Sequence, residues 1–178
     1  MEERTQRSQE ILSLRHDVGA IRRVLLTEAA LRILTIREST WLNVTPGAAW
    51  RRILSLEEWP SWNQGIADAR WLGRRGWREG NRFRLVPHGP RFSFLSGGMV
   101  SRVESDREVR WVGRLLTLRV EFAISLRTEG VGTRVDFGTT ARGLAVRIVG
   151  QDTVVRSLSK FQRRFLAELR ESGERVGV

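Results

Sequence analysis

The sequence predicts an α+β domain: a curved antiparallel sheet of about six or seven strands wrapped around one long C-terminal helix. Three observations predict it. From Ala69 to Gly143 the chain reads as short alternating segments separated by glycine-bearing turns. From near Gly150 to Arg170 a single helical period carries a continuous apolar stripe. No repeat, linker or composition break divides the 178 residues, a length that suits one domain with a real core or a cavity.

The opening decapeptide, "MEERTQRSQE", is polar and charged and reads as disordered. It lacks the apolar run of a signal peptide, and no later stretch approaches the roughly 18 apolar residues of a membrane span. A soluble, cytoplasmic protein is therefore expected. Ile11, Leu14, Val18, Ile21 and Leu25 then repeat at helical spacing, which predicts a helix within Ile11–Leu34, weakened by Gly19. That narrow stripe suits docking on the domain or, alternatively, a homodimer contact.

"IRESTWLNV" (Ile36–Val44) has the β-branched and aromatic residues of a strand. In "TPGAAWRRILSL", Thr45 suits an N-cap and Pro46 the first helical position, with Trp50, Ile53 and Leu54 on one face. Ser55 and Glu58 stand at capping-box spacing, so a second short helix is expected there. Pro60 cannot continue an ordinary helix, which places a turn at "WPSWN" with Trp59 and Trp62 beside it. Strands follow at Ala69–Arg74 and Asn81–Pro87, around the turn "RGWREG". Arg91–Ser105 reads as one bent strand, with Gly97-Gly98 as its bulge or bend. Arg107–Leu115 follows a turn at Ser105-Asp106. Thr117–Glu129 alternates strictly, with Leu118, Val120, Phe122, Ile124 and Leu126 on one side. Thr133–Gly143 alternates again, Val135 and Phe137 inward and Asp136 outward, as is Glu121 on the strand before. In the last helix Val154, Val155, Leu158, Phe161, Phe165, Leu166 and Leu169 form the apolar stripe; Asp152 and Arg170 suit its two ends, and the remainder reads as a frayed tail.

The charge is +11 with 31 basic residues, all arginine except Lys160. They are spread along the chain in pairs and alternating positions, without a long basic block, so the composition reads as a solvated arginine-rich surface rather than a nucleic-acid site. A polyanion-binding face is the sharper alternative. With no cysteine there is no disulfide, thiol nucleophile or thiolate metal site.

Four stretches carry a family resemblance: "NVTPGAAWRRILSLEEWPSWNQGI", "GWREGNRFRL", "VGTRVDFGTTARG" and the closing amphipathic helix. Together they resemble the START-like (SRPBCC) superfamily with the helix-grip fold, and within it the bacterial polyketide cyclase/dehydrase-like group. The match covers roughly Ile36–Leu169. It implies a START-like ligand-binding domain at 36–171, an N-terminal extension at 1–35 and a tail at 172–178. It also implies a largely apolar cavity between sheet and long helix for a hydrophobic small molecule, such as a lipid, polyketide or quinone. The candidate lining is Trp59, Trp62, Trp71, Phe83, Leu85, Phe94, Trp111, Leu118, Phe122, Phe137, Leu158 and Phe161.

A catalytic constellation is not visible. His16 and His88 make a poor metal pair, no phosphate-binding or nucleophile-elbow motif sits at a strand–helix junction, and tyrosine is absent. Arg84 and Arg142 are the candidates for an inward arginine, although each reads as a solvated side chain. These readings favour a binding protein that needs no cofactor over a cyclase/aromatase or dehydratase, which family likeness keeps as the alternative.

Overall fold

Alternation along Leu118–Glu129 builds the central strand of the molecule, with every second residue buried from Leu118 through Leu126. The computed structural model describes residues 33–88, 97–115, 118–143, 146 and 150–174. Its strands are β1 (Ile33–Leu42), β2 (Ile66–Leu72), β3 (Arg82–Pro87), β4 (Gly97–Glu104), β5 (Glu108–Leu115), β6 (Leu118–Glu129) and β7 (Gly132–Arg142). They form one antiparallel seven-stranded sheet in the order β1-β7-β6-β5-β4-β3-β2. Helix α1 (Pro46–Leu54), a 3-10 turn (Leu56–Glu58) and the single turn α2 (Trp59–Trp62) connect β1 to β2. Helix α3 (Gln151–Glu174) lies against β1 and β7 and meets α2. The curled sheet around a long helix predicted from the sequence is thus present.

Several boundaries differ from expectation. β1 begins at Ile33, so Ile33 and Leu34 belong to the sheet and not to an N-terminal helix; the rest of that predicted helix lies outside the described residues. β2 begins at Ile66 and ends at Leu72. α3 continues past Arg170 to Glu174, because Ser172 is buried and its hydroxyl donates to the Leu169 carbonyl at 2.8 Å. Arg170 therefore does not stand in the last turn. The bulge lies one turn of pleat beyond the predicted glycines, where the β4–β5 register shifts between Val100 and Arg102. Gly97 and Gly98 are straight β-strand residues, and Gly98 has a different reason: an added Cβ would stand 2.4 Å from Phe83 Cζ and 2.9 Å from Trp111 Cδ1. Residues 89–96, including Phe94 and the first part of the predicted bent strand, lie outside the described residues.

The α1–α2 unit shows why tryptophans flank Pro60. Thr45 caps α1 by accepting from the Ala48 amide, with Pro46 at the first helical position. The Ser55–Glu58 capping box does not form; the Ser55 hydroxyl instead donates back to the Arg51 carbonyl. The last carbonyls of α1 have no helical partner and need one. Two indoles supply it: Trp59 Nε1 donates to Ile53 at 3.0 Å, and Trp77 Nε1 donates to Leu54 at 2.8 Å. Pro60, in the first turn of α2, lacks only an amide that a helix start does not use.

At the opposite end, Gly132 permits β7 to start beneath β1. A Cβ there would lie 2.3 Å from the Leu42 carbonyl oxygen and 2.5 Å from Trp41 Cζ2, whereas one on Gly138 would meet nothing nearer than 3.9 Å. Gly132→Ala should therefore lower stability by about 2 kcal/mol or more, and Gly138→Ala should be near neutral, in paired urea titrations. Equal effects at the two sites would contradict the close approach. Trp59→Phe, which keeps an aromatic ring but strands the buried Ile53 carbonyl, should cost about 1–3 kcal/mol by the same measurement.

Candidate ligand site

The inward face of the sheet is organised in rows that cross from β5 to β1. One row pairs Val109, Ile124, Phe137 and Glu38; the next pairs Trp111, Phe122, Thr139 and Ile36. The third pairs Gly113, Val120, Ala141 and Leu34. Side-chain size falls from the first two rows to the third.

The large residues form a continuous aromatic wall. Trp59, fully buried, has ring centroids of Trp62, Trp77, Trp111 and Phe165 within 5.1 to 6.4 Å. Trp111 stacks on Phe122 at 5.2 Å, and Phe137 meets Phe161 and Phe165 edge-on. Trp71 and Phe83 join through Trp77. Edge-to-face and offset geometries of this kind suit aromatic quadrupoles and leave little empty volume. Most of the sequence-nominated residues thus belong to one cluster: Trp59, Trp62, Trp71, Phe83, Trp111, Phe122, Phe137 and Phe161. Leu85, Leu118 and Leu158 are buried in the same core.

Past this wall the interior changes character. Gly113 contributes no side chain, and Val120, Ala141 and Leu34 are small or medium and buried. On α3, Leu158 and Val154 are buried, four and eight residues before Gln162. Gln162 is itself fully buried. Its Nε2 donates to the Phe137 carbonyl at 2.9 Å and to Thr139 Oγ1 at 2.8 Å. Its Oε1 is buried without a partner. A buried acceptor left unmade costs free energy, so this oxygen stands ready for a donor. Gln162 thus bridges the first and second rows, and Thr139 stands two residues along β7 from Ala141 of the small-residue row.

Sequence reasoning missed three of these residues. Gln162 is not among the stripe residues named from the sequence, although it follows Leu158 by four residues and so shares that face. Trp77 falls in the turn "RGWREG" expected between two strands; a lone tryptophan among arginines and glycines was the available signal. Gly113 gave none, because only the register places it opposite Val120.

Trp62 stands at the edge of the wall. The Arg52 guanidinium lies 5.7 Å from its ring centroid, and Trp62 Nε1 has no partner. Nearby, a groove of about 460 Å³ runs between α1 and the end of α3, lined by Val44, Ala48, Arg52, Glu58 and Leu169 among others. Arg84 and Arg142 are both exposed on the outward face and line no interior site. The buried polar side chains among the described residues are Asn63, Thr133, Thr139, Gln162 and Ser172, none of which ionises near neutral pH.

The outward face carries the charge. Arg110 donates to Glu108 at 2.6 Å, Arg127 lies 3.5 Å from Asp136, and Arg134 lies 3.6 Å from Glu129. The hydrogen bond to Glu108 raises the Arg110 pKa above its ordinary value against a smaller opposing effect of burial, and Glu121 and Glu104 add to the rise. No helix among the described residues is long and apolar enough to cross a membrane.

No protein-family model matches the sequence, and no curated protein matches it by sequence. Solved structures match it by shape. A START superfamily protein from Mycobacterium smegmatis superposes with a TM-score of 0.64 at 13% identity, covering 80% of this chain and 98% of the other. The Zhui aromatase/cyclase from a Streptomyces species gives 0.64 at 10% identity, over 81% and 95%. The two-domain aromatase/cyclase StfQ of the steffimycin biosynthetic pathway gives 0.66 at 16% identity, over 85% of this chain and 54% of that one. At these identities the likeness is one of architecture: the chain has the helix-grip fold that these solved structures share.

Proposed function

We propose that the domain binds a hydrophobic small molecule, of lipid, polyketide or quinone type, between the sheet and α3. The observation that carries this reading is the step from an aromatic wall to a row of small residues, with the unpartnered Oε1 of Gln162, a side chain bonded to Thr139 in the adjoining row. An apolar enclosure with one or two oriented polar atoms is the usual form of a small-molecule site. The ligand would lie over Gly113, Val120 and Ala141, under Leu158, and present a hydroxyl to Gln162. The aromatic wall would bound it on one side; the wall is already filled by its own rings and is not where the ligand sits. Among the nominated residues, Leu118 and Leu158 would touch it, with Phe122 and Phe161 at its edge. The shared fold supports the reading, because other proteins of this architecture are ligand-handling aromatase/cyclases. Gln162 and Thr139 offer a ligand hydrogen bonds, not proton transfer, so retention of a molecule is favoured over its chemical conversion.

Native mass spectrometry of protein purified without detergent is expected to show a retained apolar molecule, and a fluorescent fatty-acid probe is expected to bind saturably. Ala141→Leu, which fills the small row, should weaken that probe by about tenfold or more while leaving the circular dichroism spectrum unchanged. Absence of both retained molecule and saturable probe binding rejects the proposal. A second measurement addresses Gln162: a long-chain alcohol should bind better than the matching alkane, and Gln162→Leu should erase an advantage of about two- to tenfold. If the advantage survives the substitution, Gln162 is not the polar contact.

A further inference from the structure

On the outward face, Arg142, Arg119 and Arg114 stand in one line across three neighbouring strands. Arg119 is directly opposite Arg142 on β7 and directly opposite Arg114 on β5. Like charges set opposite one another across a ladder repel. Elsewhere on this face the sheet avoids the problem: Arg102 and Arg107 meet Glu104, Arg110 meets Glu108 and Glu121, and Arg127 and Arg134 meet Asp136. The three aligned arginines have no acidic partner among the described residues. Glu121, two residues along β6 from Arg119, pairs with Arg110 instead. Arg119 also keeps its Nε buried and without an acceptor. A repulsive line with a desolvated, unused donor at its centre is an arrangement that lacks its anion.

We propose that Arg114, Arg119 and Arg142 form a binding site for a phosphoryl group on the outward face of β5–β6–β7. Three planar guanidinium groups offer a fan of donors that matches the several oxygens and double charge of a phosphate monoester better than a single carboxylate. Neighbouring strands stand about 4.8 Å apart, so the outer two arginines can converge on an anion held over the central one. The phosphoryl group has two sources of the same chemistry: a free phosphate, or a lipid headgroup. Ile33, 58% exposed, lies directly opposite Arg142 on β1 and gives the site an apolar flank.

The test uses the full chain and two probes. Inorganic phosphate is titrated calorimetrically at low salt, and phosphatidylcholine vesicles with or without phosphatidate are used in co-sedimentation. Arg119→Gln is compared with Arg127→Gln, an arginine of the same face that is paired with Asp136. Phosphate binding that Arg119→Gln weakens by about tenfold or more, and Arg127→Gln leaves nearly unchanged, supports the site with a soluble source. Sedimentation only with phosphatidate, lost in Arg119→Gln alone, supports it with a lipid source. Binding of neither probe overturns it, as does equal weakening by both variants, which would reflect net charge alone. Melting temperature gives an independent reading. In phosphate-free buffer Arg119→Gln should melt at or above the parent, since it relieves repulsion, and added phosphate should raise the melting point of the parent only. A variant that melts well below the parent, with no phosphate effect on either, also overturns the proposal.

Discussion

The Trp59 indole holds the short helices to the sheet, and the rest of the interior is arranged around it. Its N–H closes the end of α1 and its ring fills the centre of the aromatic cluster, so one side chain fixes both a helix terminus and a packing layer. Trp77 repeats the device from the β2–β3 turn on the neighbouring carbonyl. Both bonds are made to α1, so this helix is positioned by the core and not by its own propensity. The wall that results occupies one end of the space between sheet and α3. The proposed ligand position lies beyond it, at the row of Gly113, Val120 and Ala141.

Much of the architecture was legible because each element repeats its own period. Alternation placed β6 and β7 to within a residue, and the apolar stripe placed α3 at its start. Thr45 and Pro46 gave the beginning of α1 by local capping chemistry. What could not be read depended on partners remote in sequence. Gly98 looked like a bend because glycine often is one; its purpose is clearance beneath Phe83 and Trp111, which only the register reveals. Ser55 and Glu58 had the spacing of a capping box, but the 3-10 turn left the serine hydroxyl nearer the carbonyl behind it. α3 outran its expected end because Ser172 is packed against the body of the protein. The candidate site was half legible: Leu118, Leu158 and the rings of the adjoining wall were named from the sequence, while the small row and Gln162 were not.

Composition posed a second problem that the fold resolves. A chain rich in arginine says nothing about which cations are neutralised. The register does, because it decides whether an arginine meets an acid or another arginine across the ladder. On the outward face the acids lie toward Glu104, Glu108, Glu129 and Asp136, and the line at Arg142, Arg119 and Arg114 is left without them. Net charge spread evenly in sequence is therefore divided unevenly in space.

The order of the strands has a consequence for how the protein is made. Among the described strands β1 is synthesised first, yet its ladder partner β7 is the last. During translation β1 cannot form its ladder with β7 until the whole meander has left the ribosome, so the hydrogen bonds that hold Leu34, Ile36 and Leu42 in the sheet form after β2 to β6 are made. Among the described strands, the sheet closes from its late end, and the earliest of them is among the last to find its ladder partner.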